Sequence, residues 1–196
     1  MSKYSYDDLT LELLHKILTY DSETGDFYWK PRPRDMFKTL RSYNAFNTRF
    51  ANKKAGTPHN VNPHGSGYIT WGICVLGHYR IAARLAWFMY YGEWPKDQID
   101  HINGNSIDNR IENLRDVTPG ENNRNLSIYS HNKTGVMGVN LTSRGKFRAR
   151  IIVYGKETAL GCYSTLEEAA AARKEAEIKY GFHENHGRER VNAESE

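Results

Sequence analysis

The stretch IDHINGNSIDNRIENLRDVTPGENNRN, residues 99–125, constrains the fold of this chain more than any other. Residues 99–102 read as a short strand, and Asn103-Gly104 opens a turn. A loop runs through Asp108-Asn109, and residues 114–117 read as the returning strand. Thr118-Pro119-Gly120-Glu121 then spells a helix start: Thr as N-cap, Pro at the first helical position, Glu at the third. Asn122 therefore falls in the first turn of a short helix. Asp100 and His101 stand at the end of the first strand. A carboxylate and an amide oxygen are hard ligands, suited to Mg²⁺ with waters and phosphate oxygens completing its shell. An imidazole beside such an ion can take a proton from water near neutral pH. Neighbouring strand residues point to opposite faces, so Asp100 and His101 reach one site only if the strand end is distorted there.

Charge is unevenly spread. Residues 28–54 hold eight Lys/Arg against one acid, residues 127–163 six against one, and residues 100–126 three Arg against five acids. Two basic stretches flanking a mildly acidic one suit a polyanionic partner with a cation site between the grips. The chain has two cysteines, Cys74 and Cys162, and no C-x-x-C pair, which excludes a disulfide scaffold or cysteine zinc cluster and fits a reducing cytoplasm. No apolar run reaches the roughly 18 residues of a membrane span, and MSKYSYDDLT lacks the pattern of a signal peptide.

Elsewhere the periodicity predicts a helix over 7–19, capped by Asp7 or Asp8, and an aromatic strand at 26–30. Residues 31–66 read as a long basic, Asn-rich loop or arm with room for a short helix. Strands are expected at 67–75 and 78–81. A helix follows over 83–92, with Leu85, Phe88 and Met89 inward, Gly92 ending it and Pro95 preventing its continuation. Three strands follow in 136–142, 146–154 and 156–163. A helix at 164–180 is opened by a capping box from Ser164/Glu167 or Thr165/Glu168. The remaining tail is expected to fray.

The central stretch resembles the HNH (ββα-metal) nucleases, in the branch found among phage and intron-encoded, homing-type endonucleases. The matching residues are Asp100-His101, Asn113 before Leu114, and Asn122, spaced 12 and 9 residues apart from His101 onward. The resemblance implies that His101 is the general base and that Asp100 and Asn122 hold one divalent ion, Mg²⁺ with Mn²⁺ able to substitute. It implies that Asn113 is a structural Asn whose hydrogen bonds aim His101. RLAWFMYYGEWP is similar to the segment preceding this motif in phage relatives, which often carry His where this chain has Ala83.

Residues 133–180 resemble the plant Apetala/ethylene-response-factor DNA-binding domain, which also occurs fused to phage HNH nucleases. The similarity lies in Gly138 to Ile151, ending GKFRARI, in LGCY (Leu160 to Tyr163), and in STLEEAAAAR (Ser164 to Arg173). The implied fold is a three-stranded sheet on one helix. The alternation agrees: Phe147, Ala149 and Ile151 share one face, and Lys146, Arg148, Arg150 and Ile152 the other. Asn140, Thr142 and Arg144 would extend that basic face toward DNA. The chain departs from the family at Ala159, where an aromatic is usual, and at Arg150, where an acid is usual.

The reading is an α+β chain: an N-terminal mixed region leading into a ββα-metal (HNH) nuclease core, then a three-stranded antiparallel sheet packed on one helix. The nuclease domain is placed at residues 1–126, with its core at about 98–126. A linker spans 127–135, the DNA-binding module 136–181 and the tail 182–196. The expected activity is metal-dependent hydrolysis of phosphodiester bonds in double-stranded DNA by a monomer or weak dimer in the cytoplasm of a phage-infected bacterium, with no membrane and no small-molecule cofactor. The alternatives are a catalytically silent DNA-binding protein and an RNA-directed nuclease.

Overall fold

The computed structural model describes residues 9–60, 69–129 and 131–189. The chain divides into two compact units. The first runs to His101 and adds residues 105–116. Among the described residues, the second takes 102–104 and 117–189.

In the first unit, helix α1 (Leu11–Ile17) is capped by Thr10, whose hydroxyl accepts from the Leu13 amide. The expected cap, Asp7 or Asp8, lies outside the described residues. The helix ends before Leu18, because Leu18–Tyr20 becomes strand β1 and pairs antiparallel with β2 (Phe27–Trp29). The expected strand at 26–30 is thus present, and the last two residues of the expected helix belong to β1 instead.

The basic stretch is not an aperiodic loop. It contains helix α2 (Leu40–Phe50), capped by Thr39, and strand β3 (Thr57–Asn60). Strand β3 pairs with β4 (Ile69–Val75), which pairs with β5 (His78–Ile81), giving the antiparallel order β3-β4-β5. Helix α3 (Ala82–Tyr91) follows. It ends at Gly92 in the left-handed conformation, φ 79°, whose amide donates to the Phe88 carbonyl. Strands β6 (Gln98–His101) and β7 (Leu114–Val117) form a two-stranded sheet. Strand β6 stops one residue short of the expected Ile102, which enters the turn.

Leu14, Ile17, Leu18, Phe27, Ile73 and Leu85 are wholly buried and form the centre of this unit. Leu14, Ile17 and Leu18 follow helical spacing, and Ile73 and Val75 alternate inward along β4. Leu85, Phe88 and Met89 bury the inner face of α3 as the pattern predicts.

In the second unit, helix α4 (Pro119–Asn122) opens with the full capping box of Thr118 and Glu121. Strands β8 (Val139–Leu141), β9 (Phe147–Val153) and β10 (Lys156–Tyr163) form an antiparallel sheet in the order β10-β9-β8. Helix α5 (Leu166–Lys179) packs on it, and Thr165 with Glu168 makes its capping box. Val139, Ala149 and Ala169 form the buried centre, where small side chains let the helix approach the sheet. Residues 182–189 are not frayed. Asn185 donates to the Ile102 carbonyl at 3.1 Å, and Arg188 donates to the Asn125 carbonyl at 2.8 Å and to its side-chain oxygen at 2.7 Å. The first of these bonds satisfies a backbone acceptor of the turn that directly follows His101.

No helix among the described residues is long and apolar enough to cross a membrane.

Candidate nuclease site

Asp100 and His101 close strand β6 and are both nearly buried, at 7% and 6% exposure. They take different partners. Asp100 Oδ2 accepts from Arg115 Nε at 2.9 Å and Nη2 at 2.7 Å. His101 Nε2 lies 3.4 Å from Asn109 Oδ1. Asn109 is itself buried, and its Nδ2 donates to the Ile107 carbonyl at 3.2 Å. That bond turns the amide oxygen toward the imidazole, where it can accept from Nε2 in the tautomer that carries the ring proton there. Burial pushes the His101 pKa below its usual value. The hydrogen bond to Asn109 and the carboxylates of Asp100 and Asp108 oppose that push. A neutral imidazole at neutral pH is the protonation state a general base requires.

Asn113, also buried, donates from Nδ2 to the Asp108 carbonyl at 2.8 Å. It closes the loop that carries Asn109. Asp108 in turn receives the Arg110 guanidinium through two bonds, 2.9 and 2.8 Å long. The β1–β2 turn grips the same loop. Tyr20 donates its hydroxyl to the Asn109 carbonyl at 2.7 Å, and the Ile111 amide donates to the Ser22 carbonyl at 3.1 Å. Gly25 has φ +77°, and a Cβ there would stand 2.5 Å from the Arg110 nitrogen. Gly25→Ala is therefore expected to push the loop outward and destabilise the chain by about 1–3 kcal/mol. A melting curve would check it.

Asn122 ends α4 in the second unit. The structure thus brings Asp100, His101 and Asn113 into the first unit and sets Asn122 on the second. Among the described residues no group of three His, Cys, Asp or Glu could hold a metal. The candidate set of one carboxylate and one amide is all oxygen, which fits a hard cation that keeps waters and takes phosphate oxygens. Arg115 already neutralises Asp100.

Sequence reasoning missed Asn109, Arg115 and Glu157. Arg115 sits on β7, the strand that pairs with β6, so hairpin pairing was the available signal. Asn109 carried none beyond its place in a polar loop. Glu157 lies across from Ile152 and bonds to Arg148 at 3.0 Å and Arg150 at 2.5 Å. Of the other expected DNA contacts, Asn140, Arg144 and Lys146 are exposed. Thr142 is spent on the β8–β9 turn, where its hydroxyl donates to the Lys146 carbonyl at 2.9 Å.

Residues 80–124 match the HNH endonuclease family. The chain is also similar to Protein 3.8 of Escherichia phage T7, at 31% identity over 86 residues, covering 43% of this chain and 71% of that protein. No solved structure gives a match of comparable significance.

Proposed function

The chain belongs to the HNH endonuclease family through residues 80–124, and on that premise we propose that it cuts DNA by metal-dependent phosphodiester hydrolysis. The observation that carries the proposal is the buried Asp100-His101 pair at the end of β6, with His101 oriented by Asn109. His101 takes the proton of the attacking water at Nδ1. Asn109 fixes the ring, and Asn113 fixes the loop that holds Asn109. Asp100 and Asn122 are the residues that would hold the ion, expected to be Mg²⁺ or Mn²⁺. When bound, the ion polarises the scissile phosphate and stabilises the leaving 3′ oxygen. Burial keeps His101 neutral and limits the water that can compete with its lone pair.

The nuclease role is assigned to residues 1–126 and DNA positioning to the module at 136–181. There Arg148 and Arg150 project from β9 on the side opposite buried Ala149 and Ile151. Their pairing with half-exposed Glu157 is worth at most about 1 kcal/mol, so a phosphate can displace it cheaply. Replacing both arginines by Glu is expected to weaken binding to any duplex DNA by about 100-fold at low salt. Metal affinity should be unchanged, as calorimetry with Mn²⁺ would check.

The direct test is supercoiled plasmid incubated with Mg²⁺ or Mn²⁺. Nicked or linear product that EDTA abolishes is expected. A wild-type protein inert on DNA under varied metals and salts, yet active on RNA, would replace this reading with an RNA-directed one.

A further inference from the structure

Helix α2 has two faces of different chemistry. Tyr43, Phe46, Asn47 and Phe50 turn inward at helical spacing. The Phe46 ring lies 6.0 Å from Trp29, 5.7 Å from Phe37 and 5.1 Å from Phe50. The Arg32 guanidinium caps this cluster, 4.0 Å from the Phe46 ring centre and 4.9 Å from that of Trp29. A reciprocal amide pair then fastens the helix: the Arg32 amide donates to Asn47 Oδ1 at 2.9 Å, and Asn47 Nδ2 donates to the Arg32 carbonyl at 3.0 Å. The helix is thereby held by one face against the body of the first unit.

The opposite face carries Arg41, Asn44, Ala45 and Thr48, all exposed, with exposed Arg49 along its border. The helix contains no acid. Exposed Lys38 precedes it, and exposed Lys53 follows it. Asp35 is the only acid between residues 28 and 54, and it pairs at 3.7 Å with Lys16. A helix face that merely meets water usually mixes signs, because Glu and Lys one turn apart stabilise it. Here every charge has one sign, so the face repels itself until a polyanion covers it. Asn44 and Thr48 are side chains suited to base edges, and Ala45 at the centre lets the helix come close to what it reads. Eleven residues rise about 16 Å, enough to lie in a major groove.

We infer that this outer face of α2 is a second DNA-contacting surface, which seats in the major groove of duplex DNA with Arg41 and Arg49 toward phosphates and Asn44 and Thr48 toward base edges. The inference rests on the endonuclease reading for the identity of the polyanion. The major groove of duplex RNA is too narrow and deep to admit the helix, so the surface discriminates against it.

The test uses the full chain in EDTA, so that no cutting confuses binding. Anisotropy with a random-sequence DNA duplex is followed across a salt series. For the Arg41→Gln/Arg49→Gln pair, affinity should fall about tenfold or more at low salt, and the slope of log K against log salt should shrink by about 1.8, two phosphate contacts at ~0.9 each. The Asn44→Ala/Thr48→Ala pair should keep the wild-type slope and change which sequences are retained from a randomised duplex pool. All four side chains are exposed, and melting curves matching wild type would show that the variants fold. Unchanged affinity and slope in the arginine pair would overturn the surface. So would equal loss on duplex RNA, unchanged sequence selection in the second pair, or a wild type that binds no duplex DNA. The plasmid assay is read separately. Loss of binding in the arginine pair with a wild type that never cuts sinks the endonuclease reading and leaves the surface standing. Cutting by wild type with binding unchanged in the variants sinks the surface alone.

Discussion

His101→Ala should remove plasmid cleavage almost entirely, lowering the rate by about 10²–10⁴-fold, the range for a positioned general base. Duplex binding measured in EDTA should stay within a few-fold of wild type. The two readouts separate chemistry from grip, because His101 is nearly buried and its side chain meets Asn109. A variant that still cuts at the wild-type rate would remove His101 from the mechanism. The burial that lowers its pKa also means that an unaided imidazole is neutral at neutral pH, so the base needs no prior deprotonation.

Arg173→Met should destabilise the second unit by up to about 3–5 kcal/mol, the cost of breaking a buried ion pair, since Glu177 then keeps only the half-exposed Lys174 at 3.6 Å. The Arg173 and Glu177 side chains are only 6% and 7% exposed. Arg173 donates from Nε to Glu177 at 2.9 Å, from Nη1 to the Arg150 carbonyl at 2.7 Å, and meets His186 Nε2 at 3.2 Å through Nη2. One guanidinium thus ties α5 to β9 and to the segment after the helix. The apolar centre around it is small, with Val139, Ala149, Ile151 and Ala169 fully enclosed, so little else compensates. Adding Glu177→Leu should recover most of the loss, since no charge is then stranded. Chemical denaturation of both variants would decide it, and a double variant as weak as the single one would refute the account.

The same network sets a pH dependence. Burial first, and then the neighbouring Arg173 charge, press the His186 pKa down to about 4. An unfolded imidazole titrates near about 6.5. Between those values the unfolded chain binds more protons, so stability rises with pH across that window. It is complete above the upper value and falls as the solution is acidified toward about 4. His186→Gln should flatten that part of a stability-against-pH curve.

Periodicity and caps made much of the chain legible. Strands β5, β7 and β10 lie at the residues their alternation marks, and both long capping boxes form as spelled. The signal was strong there because a residue's own neighbours decide it. Helix α2 was expected only as room for a short helix in a long loop, because its Asn, Ser and Thr residues are poor helix formers that mask the Tyr43, Phe46, Phe50 spacing. Its stability comes from Trp29, Phe37 and Arg32, residues outside the helix.

The site divides in the same way. Asp100, His101, Asn113 and Asn122 are candidates through the resemblance of their spacing to the HNH motif, and the loop between two paired strands and a capped helix carries them. What aims them was not legible. The Tyr20 hydroxyl, the Ser22 carbonyl and the bare Cα of Gly25 reach the 107–113 loop from more than eighty residues earlier. Such contacts leave no period in the sequence, since each depends on where two distant segments come to rest. The Arg115 pairing with Asp100 is likewise set by strand pairing, and the Arg173 network by helix-on-sheet packing. The sequence alone determined which local elements carry the candidate side chains. The tertiary structure decided their burial, the orientation of the imidazole and the single-sign face of α2, because these depend on which surfaces are covered and which are left to solvent.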